Sequence, residues 1–180
     1  MQYRIIRSDR KTVALQVKAG EVIVRAPRAM THEEISAFVA KHRDWINKKL
    51  AAFSKPSNAP RITEEGIRLL SERAREIIPP RVAYYASLVG AEYNRVTIRH
   101  QRTKWGSCSG KKNLNFNCLL LLAPTEVMDS VIVHELCHLK HMNHSKAFYN
   151  EVLRVCPDYK KHSRWLKQNG GDLIRRMPQK

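Results

Sequence analysis

The sequence predicts an α+β fold: a small sheet packed on one helix that carries the chemistry, preceded by a compact unit of β-hairpin plus helix. Three observations predict it. Apolar and polar residues alternate in short runs near 12–26, 95–100 and 114–122. Apolar residues recur at helical spacing elsewhere, and one turn-rich stretch interrupts both patterns. That stretch, Ser54-Lys55-Pro56-Ser57-Asn58-Ala59-Pro60, divides the chain into a unit at 1–53, a linker at 54–62 and a core at 63–180.

In the first unit, 3–8 reads as a strand. Val13, Leu15 and Val17 alternate with polar neighbours, as do Val22 and Val24 after a turn at Ala19-Gly20, giving a hairpin that Pro27 ends. Thr31 with Glu34 forms a capping box, and Ile35, Phe38, Val39, His42, Trp45, Ile46 and Leu50 follow on one helical stripe, which places His42 and Trp45 in the core.

In the core unit, Thr63 caps a helix that Pro79-Pro80 should stop or kink, with a second helix reaching about Gly90. Strands follow at 95–100 and 114–122, the latter with Leu114, Phe116, Cys118, Leu120 and Leu122 on one face and Asn115 and Asn117 on the other. A turn-rich link containing Trp105 joins them. Pro124 ends the second strand and Thr125 caps the next helix. After His144, one helix carries Phe148, Val152 and Val155 and ends before Pro157. A last one carries Trp165 and Leu166 and stops at Gly170-Gly171, leaving Arg175, Arg176 and Lys180 as a frayed basic tail.

The helix after Thr125 carries His134-Glu135-Leu136-Cys137-His138. Histidines four apart lie one turn apart on one helix face, where both can reach a single Zn²⁺ at about 2.1 Å. Glu135 then sits beside the ion, placed to take a proton from the attacking water and pass it to a leaving group. A catalytic zinc usually has three protein ligands. His144 follows His138 by six residues, the spacing of the third histidine in HExxHxxGxxH, but His141 stands where that pattern has glycine. The turn must therefore be made differently, with Asn143 in a left-handed conformation as one route. His144 ranks first as third ligand, with His141, Glu151 and His162 as substitutes. Cys137 points off the ligand face and reads as a small buried apolar residue.

Composition narrows the class. Four widely spaced cysteines without a CxxC pair argue against a zinc knuckle, and nothing suggests the oxidising compartment that two disulfides would need. The N-terminus lacks a signal-peptide apolar region and the longest apolar run is too short to span a bilayer, so the chain reads as a soluble cytoplasmic protein of unspecified oligomeric state. Against 16 acids stand 33 lysines and arginines, a net charge of +17 that favours an anionic partner such as nucleic acid or a protein seated on it. No acid occurs between Glu92 and Glu126, where Arg95, Arg99, Arg102, Lys104, Lys111 and Lys112 all do.

Several motifs in order, Trp105-Gly106-Ser107-Cys108, Leu114-Asn115-Phe116-Asn117, His134 to His138, Asn143-His144-Ser145 with Phe148, and Pro157-Asp158-Tyr159, closely resemble the bacterial YgjP-like metallopeptidases. Arg7 to Thr12 and Val24 to Pro27 look like that family's N-terminal hairpin, so the resemblance covers nearly the whole chain. The group is similar to the SprT and Spartan proteins, whose eukaryotic members cleave proteins crosslinked to DNA. It implies a zincin-like core with metal-site residues at His134, Glu135, His138 and His144.

The resulting expectation is a metallopeptidase with one Zn²⁺ per chain, Glu135 as general base, and a protein or peptide substrate that the charge associates with DNA. By analogy, 114–122 is the candidate sheet edge for substrate. Two alternatives are a hydrolase splitting a nucleotide phosphoanhydride at the same metal site, and a nucleic-acid-binding module whose zinc is structural. Lys104, His141, His162 and the tyrosines are candidates for stabilising the oxyanion.

Overall fold

The computed structural model describes residues 1–18, 20–54 and 59–178. It divides into two compact units, Met1–Asn58 and Ala59–Lys180. Residues 55–58 of the expected linker, like Ala19 of the expected turn and Lys180 of the expected tail, lie outside the described residues.

The first unit is a three-stranded sheet, β1 (Arg4–Ser8), β2 (Ala14–Lys18) and β3 (Glu21–Pro27), in the order β1-β3-β2. The hairpin pairs Leu15 with Val24 and Val17 with Val22, and β1 adds in parallel on the other side of β3. Val22, Val24 and Ala26 are buried with Ile35, Val39 and Ile46. The Thr31 hydroxyl accepts from the Glu34 amide and the Glu34 carboxylate accepts from the Thr31 amide, which starts α1 (His32–Lys41). The expected single helix breaks at His42, and α2 runs Arg43–Ser54. The break keeps Ile46 buried but turns Trp45 outward. That ring is 41% exposed with the Lys49 ammonium 5.8 Å from its centroid, so it is not a core residue.

The second unit begins with α3 (Glu64–Val89), one continuous helix through Pro79 and Pro80, where a stop or kink was expected. Proline removes a helical hydrogen bond and clashes with the preceding turn, a cost of about 3 kcal/mol. Against it stands a face of Ile67, Ala74, Ile78, Val82, Ala86 and Val89, all buried in the main core. The prolines lie beside that face, not on it, and burial outweighs the local preference. Gly90, left-handed at φ 66°, caps the end.

The second sheet has β4 (Arg95–Arg99), β5 (Gly106–Cys108) and β6 (Asn113–Asn117) in the order β4-β6-β5. β6 is therefore central, and the expectation that 114–122 offers a free edge is wrong: the edges are β4 and β5. The strand also ends at Asn117, not Leu122, because the Asn117 carboxamide oxygen accepts from the Leu119 amide at 3.1 Å and opens a 3₁₀ turn, Cys118–Leu122. Asn117 is not a residue of an open polar face. It is 2% exposed, and its amide nitrogen donates to the carbonyls of Gln101 (2.7 Å) and Lys104 (2.9 Å), tying down the loop before β5.

Three helices complete the unit: α4 (Thr125–Cys137), α5 (Lys146–Val155) and α6 (Tyr159–Arg175). Thr125 does not cap α4. Pro124 occupies that position, with no side-chain bond, and its carbonyl accepts from the Val127 and Met128 amides. Ser145 caps α5 through the Phe148 amide. The last helix passes through Gly170-Gly171, where a stop was expected. A Cβ on Gly170 would lie 2.8 Å from the Trp105 ring, so this glycine is a packing site, and Leu173 and Met177 beyond it are buried. Nor are Arg175 and Arg176 frayed, since Arg175 pairs with Asp172 and Arg176 donates to the Pro60 carbonyl. Among the described residues no helix is long and apolar enough to cross a membrane.

Candidate metal centre

Nearly every face of α4 is apolar: Val131, Ile132, Val133, Leu136 and Cys137 are buried, as a helix through the middle of a domain requires. Asp129 fixes it against α3. Both its oxygens accept from the Arg81 guanidinium, at 2.5 and 2.6 Å, and one also accepts from the Tyr85 hydroxyl at 3.0 Å. His134 and His138 project from the last turn of this anchored helix.

The helix ends at His138, and the amides of Leu139, Lys140 and His141 turn back onto the Leu136 and Cys137 carbonyls. No residue of the turn has positive φ. Lys112 is the only non-glycine residue with one among those described, so the left-handed Asn143 is not how the missing glycine is replaced. The turn instead brings His144 round so that its Nε2 lies 3.2 Å from that of His134, and the His138 Nε2 lies at the same distance. Three nitrogens on a tetrahedral zinc at about 2.1 Å would be about 3.4 Å apart. The cluster is close to that size before anything is placed in it, and among the described residues these three form the one group able to hold a metal.

Their other nitrogens are engaged as a metal site requires. With Nε2 facing the cluster, His138 Nδ1 donates to the His141 carbonyl at 3.0 Å, and His134 Nδ1 donates to the Tyr159 hydroxyl oxygen at 2.8 Å. Phe148, fully buried, underlies all three rings, with centroids 4.6 to 5.0 Å away. Burial pushes His134 down to about 4 and lowers His138 as well, favouring the neutral ligand form. The substitutes are otherwise employed. Glu151 pairs with Lys140 and Arg154, His162 Nδ1 sits 3.8 Å from the Cys156 sulfur, and His141 contributes its carbonyl to the cluster.

Glu135 is 7% exposed and lines an open cleft of about 270 Å³ with Lys104, Trp105, Gly106, His134 and Tyr159. Burial pushes its carboxyl up to about 7, opposed by the Lys104 charge and the Cys108 amide. Of the candidate oxyanion groups, Lys104 and Tyr159 line this cleft and His141 and His162 do not. Sequence reasoning assigned no site role to Phe148 or Gly106 and offered Tyr159 only among the tyrosines for the oxyanion, not as the partner of His134, although all three stand in the motifs that carried the resemblance.

The family model for the YgjP-like metallopeptidase domain matches residues 11–69 and 57–169. The chain belongs to the YgjP-like metallopeptidases. It is thus a metal-dependent hydrolase of the peptidase class, and the histidine cluster is where this member can hold the metal. Two solved structures are similar to it. Abylysin, a metallopeptidase zymogen of Pyrococcus abyssi, is 24% identical over 51% of this chain and 94% of its own, with a TM-score of 0.47. Jannalysin, a metallopeptidase zymogen of Methanocaldococcus jannaschii, is also 24% identical, over 49% of this chain and 94% of its own, with a TM-score of 0.42. No curated protein matches the sequence.

Proposed function

We propose that this YgjP-like protein is a zinc peptidase in which His134, His138 and His144 hold one Zn²⁺ and Glu135 is the general base. The convergence of three imidazole Nε2 atoms beside a buried carboxylate carries this reading. When bound, zinc supplies Lewis-acid polarisation of the scissile carbonyl and acidifies the attacking water. Glu135 accepts that water's proton and returns it to the leaving amine. Tyr159 and the His141 carbonyl orient two of the ligands.

The substrate backbone lies along β5, the edge strand that lines the cleft. Trp105 and Ser109 bond to β6, so strand alternation turns the Gly106 N–H and C=O the other way, toward an added strand. Lys104 stabilises the oxyanion. The basic charge and the acid-free run from Arg95 to Lys112 favour proteins associated with DNA as substrates. A purely structural zinc would need a fourth protein ligand, which the cluster does not supply.

The test compares wild type with Glu135→Gln, each with zinc measured, in cleavage of casein and of a basic DNA-bound protein. Retained zinc with cleavage down by roughly 10² or more is expected. Equal cleavage by the two would remove Glu135 from the mechanism, and hydrolysis of UTP or ATP without proteolysis would transfer the site to nucleotide chemistry.

A further inference from the structure

A second depression, of about 370 Å³, adjoins the catalytic cleft and is lined by Tyr149, Tyr159, Lys160, Ser163, Arg164 and Lys167. It shares Tyr159 and Ser163 with the wall that holds Glu135. It also adjoins the metal cluster: the Tyr149 ring stacks on His144 at 6.1 Å and lies 6.3 Å from Tyr159. A chain lying over the histidines therefore meets this depression within about two residues of the scissile bond, at a rise of about 3.3 Å per residue.

Its charge is one-sided. Lys160, Arg164 and Lys167 fall at helical spacing on one face of α6 and are exposed. No carboxylate lies within ion-pair distance of any of them among the described residues, whereas Arg81, Arg154 and Arg175 in the same unit each have an acidic partner. Asp158, just before the helix, is not among the lining groups. Three like charges on one wall repel one another, and an arriving anion relieves that repulsion. Because the depression is a single hollow continuous with the catalytic wall, it takes one group of the scissile chain itself. A nucleic-acid strand would instead need a groove tracking several phosphates.

We infer that this hollow is a specificity subsite for a carboxylate side chain, Asp or Glu, close to the scissile bond of the substrate. The Arg164 guanidinium and the two ammonium groups bind the carboxylate, and the Tyr149 ring covers its methylene stem. The inference rests on the peptidase reading of the neighbouring metal site.

The test uses the full chain loaded with zinc as Glu135→Gln, so that bound peptide is not turned over. Fluorescein-labelled peptides with Glu placed at successive positions in a Gly-Ala background, and the same peptides with Gln, are titrated by anisotropy at low salt. Glu should be favoured roughly tenfold at one position. Arg164→Glu, or the milder Arg164→Gln with Lys167→Gln, should bring the ratio to one or below, while Lys49→Glu in the other unit should leave it unchanged. Equal binding of Glu and Gln peptides at every position, or a ratio untouched by these changes, overturns the inference. So does loss of oligothymidylate binding in the variants with the peptide ratio preserved, which would make the cations a nucleic-acid contact. The ratio needs no turnover, so failure of the peptidase reading shows separately, as wild type that cleaves no protein.

Discussion

Gly106 stands so close to Glu135 that a Cβ at position 106 would lie 2.6 Å from the Glu135 Cγ and 2.7 Å from its Oε1. The carboxylate is itself buried and cannot swing aside freely. Glycine at 106 is therefore a requirement of the Glu135 side chain's position and not of backbone conformation. Gly106→Ala should lower kcat by roughly 10², the cost of displacing a catalytic group by about 1 Å, with zinc still bound. Parallel measurement of kcat and zinc content checks this, and full activity in the alanine variant would mean that Glu135 is not held where it works.

Removing the Lys104 charge should move the acid limb of the pH profile. The ammonium favours the ionised form of Glu135 and so lowers its pKa. Lys104→Met raises that pKa, and the limb of kcat/KM where activity is lost on acidification should shift to higher pH. Any fall in kcat on the plateau then measures a separate role at the oxyanion. A limb that stays in place or moves the other way would dissociate Lys104 from the base.

Tyr159→Phe removes the acceptor of the His134 Nδ1 proton while leaving the ring in place. Loss of such a partner typically weakens metal binding 10–100-fold. Chelator competition should show that drop with an unchanged circular-dichroism spectrum. Unaltered affinity would make the contact incidental.

Arg81→Ala leaves Asp129 buried with only Tyr85 to satisfy it. Breaking a buried pair by removing one partner costs about 3–5 kcal/mol, and the partial exposure of Arg81 puts the expectation near the lower end. Thermal melting of the two proteins checks it; a change within the error of the melts would show that the pair holds nothing together.

Glu151 gives the acid dependence of stability. Hydrogen bonding to Arg154, then to Lys140, lowers its pKa from 4.5 to about 2. A carboxylate whose pKa is depressed by folding stabilises the native state above its unfolded pKa, so this contribution is complete above about pH 4.5 and disappears as pH falls through 2. Glu151→Gln should flatten the pH dependence of urea midpoints across that window. An unchanged slope would assign acid unfolding to other groups.

What was legible in the sequence was whatever depends on local periodicity. His134 and His138 share a helix face because of their spacing alone, and Thr31 with Glu34 announces a helix start because both bonds of the box are local. His144 could be ranked by spacing, but the path of its turn could not, since residues of negative φ alone complete it. Pro79-Pro80 misled because the burial of Ile78 and Val82 belongs to the tertiary structure. Gly170 misled for the same reason, its Cβ space being filled by a ring 65 positions earlier in the chain. A three-residue strand of Gly-Ser-Cys shows no apolar alternation, so β5 was invisible, and with it the correct edge of the sheet.

The contact between Trp105 and Gly170 also bears on how the protein is made. Synthesis runs from the N-terminus, so Glu135 and all three histidines are translated before α6. A nascent or prematurely ended chain stopping at Val155 carries His134, His138 and His144. It lacks Tyr159 to orient His134 and the Gly170 seat that holds Trp105 at the wall of the cleft. The last helix thus supplies both the partner of His134 and the seat of Trp105, so the wall of the cleft is complete only once α6 has been made and packed.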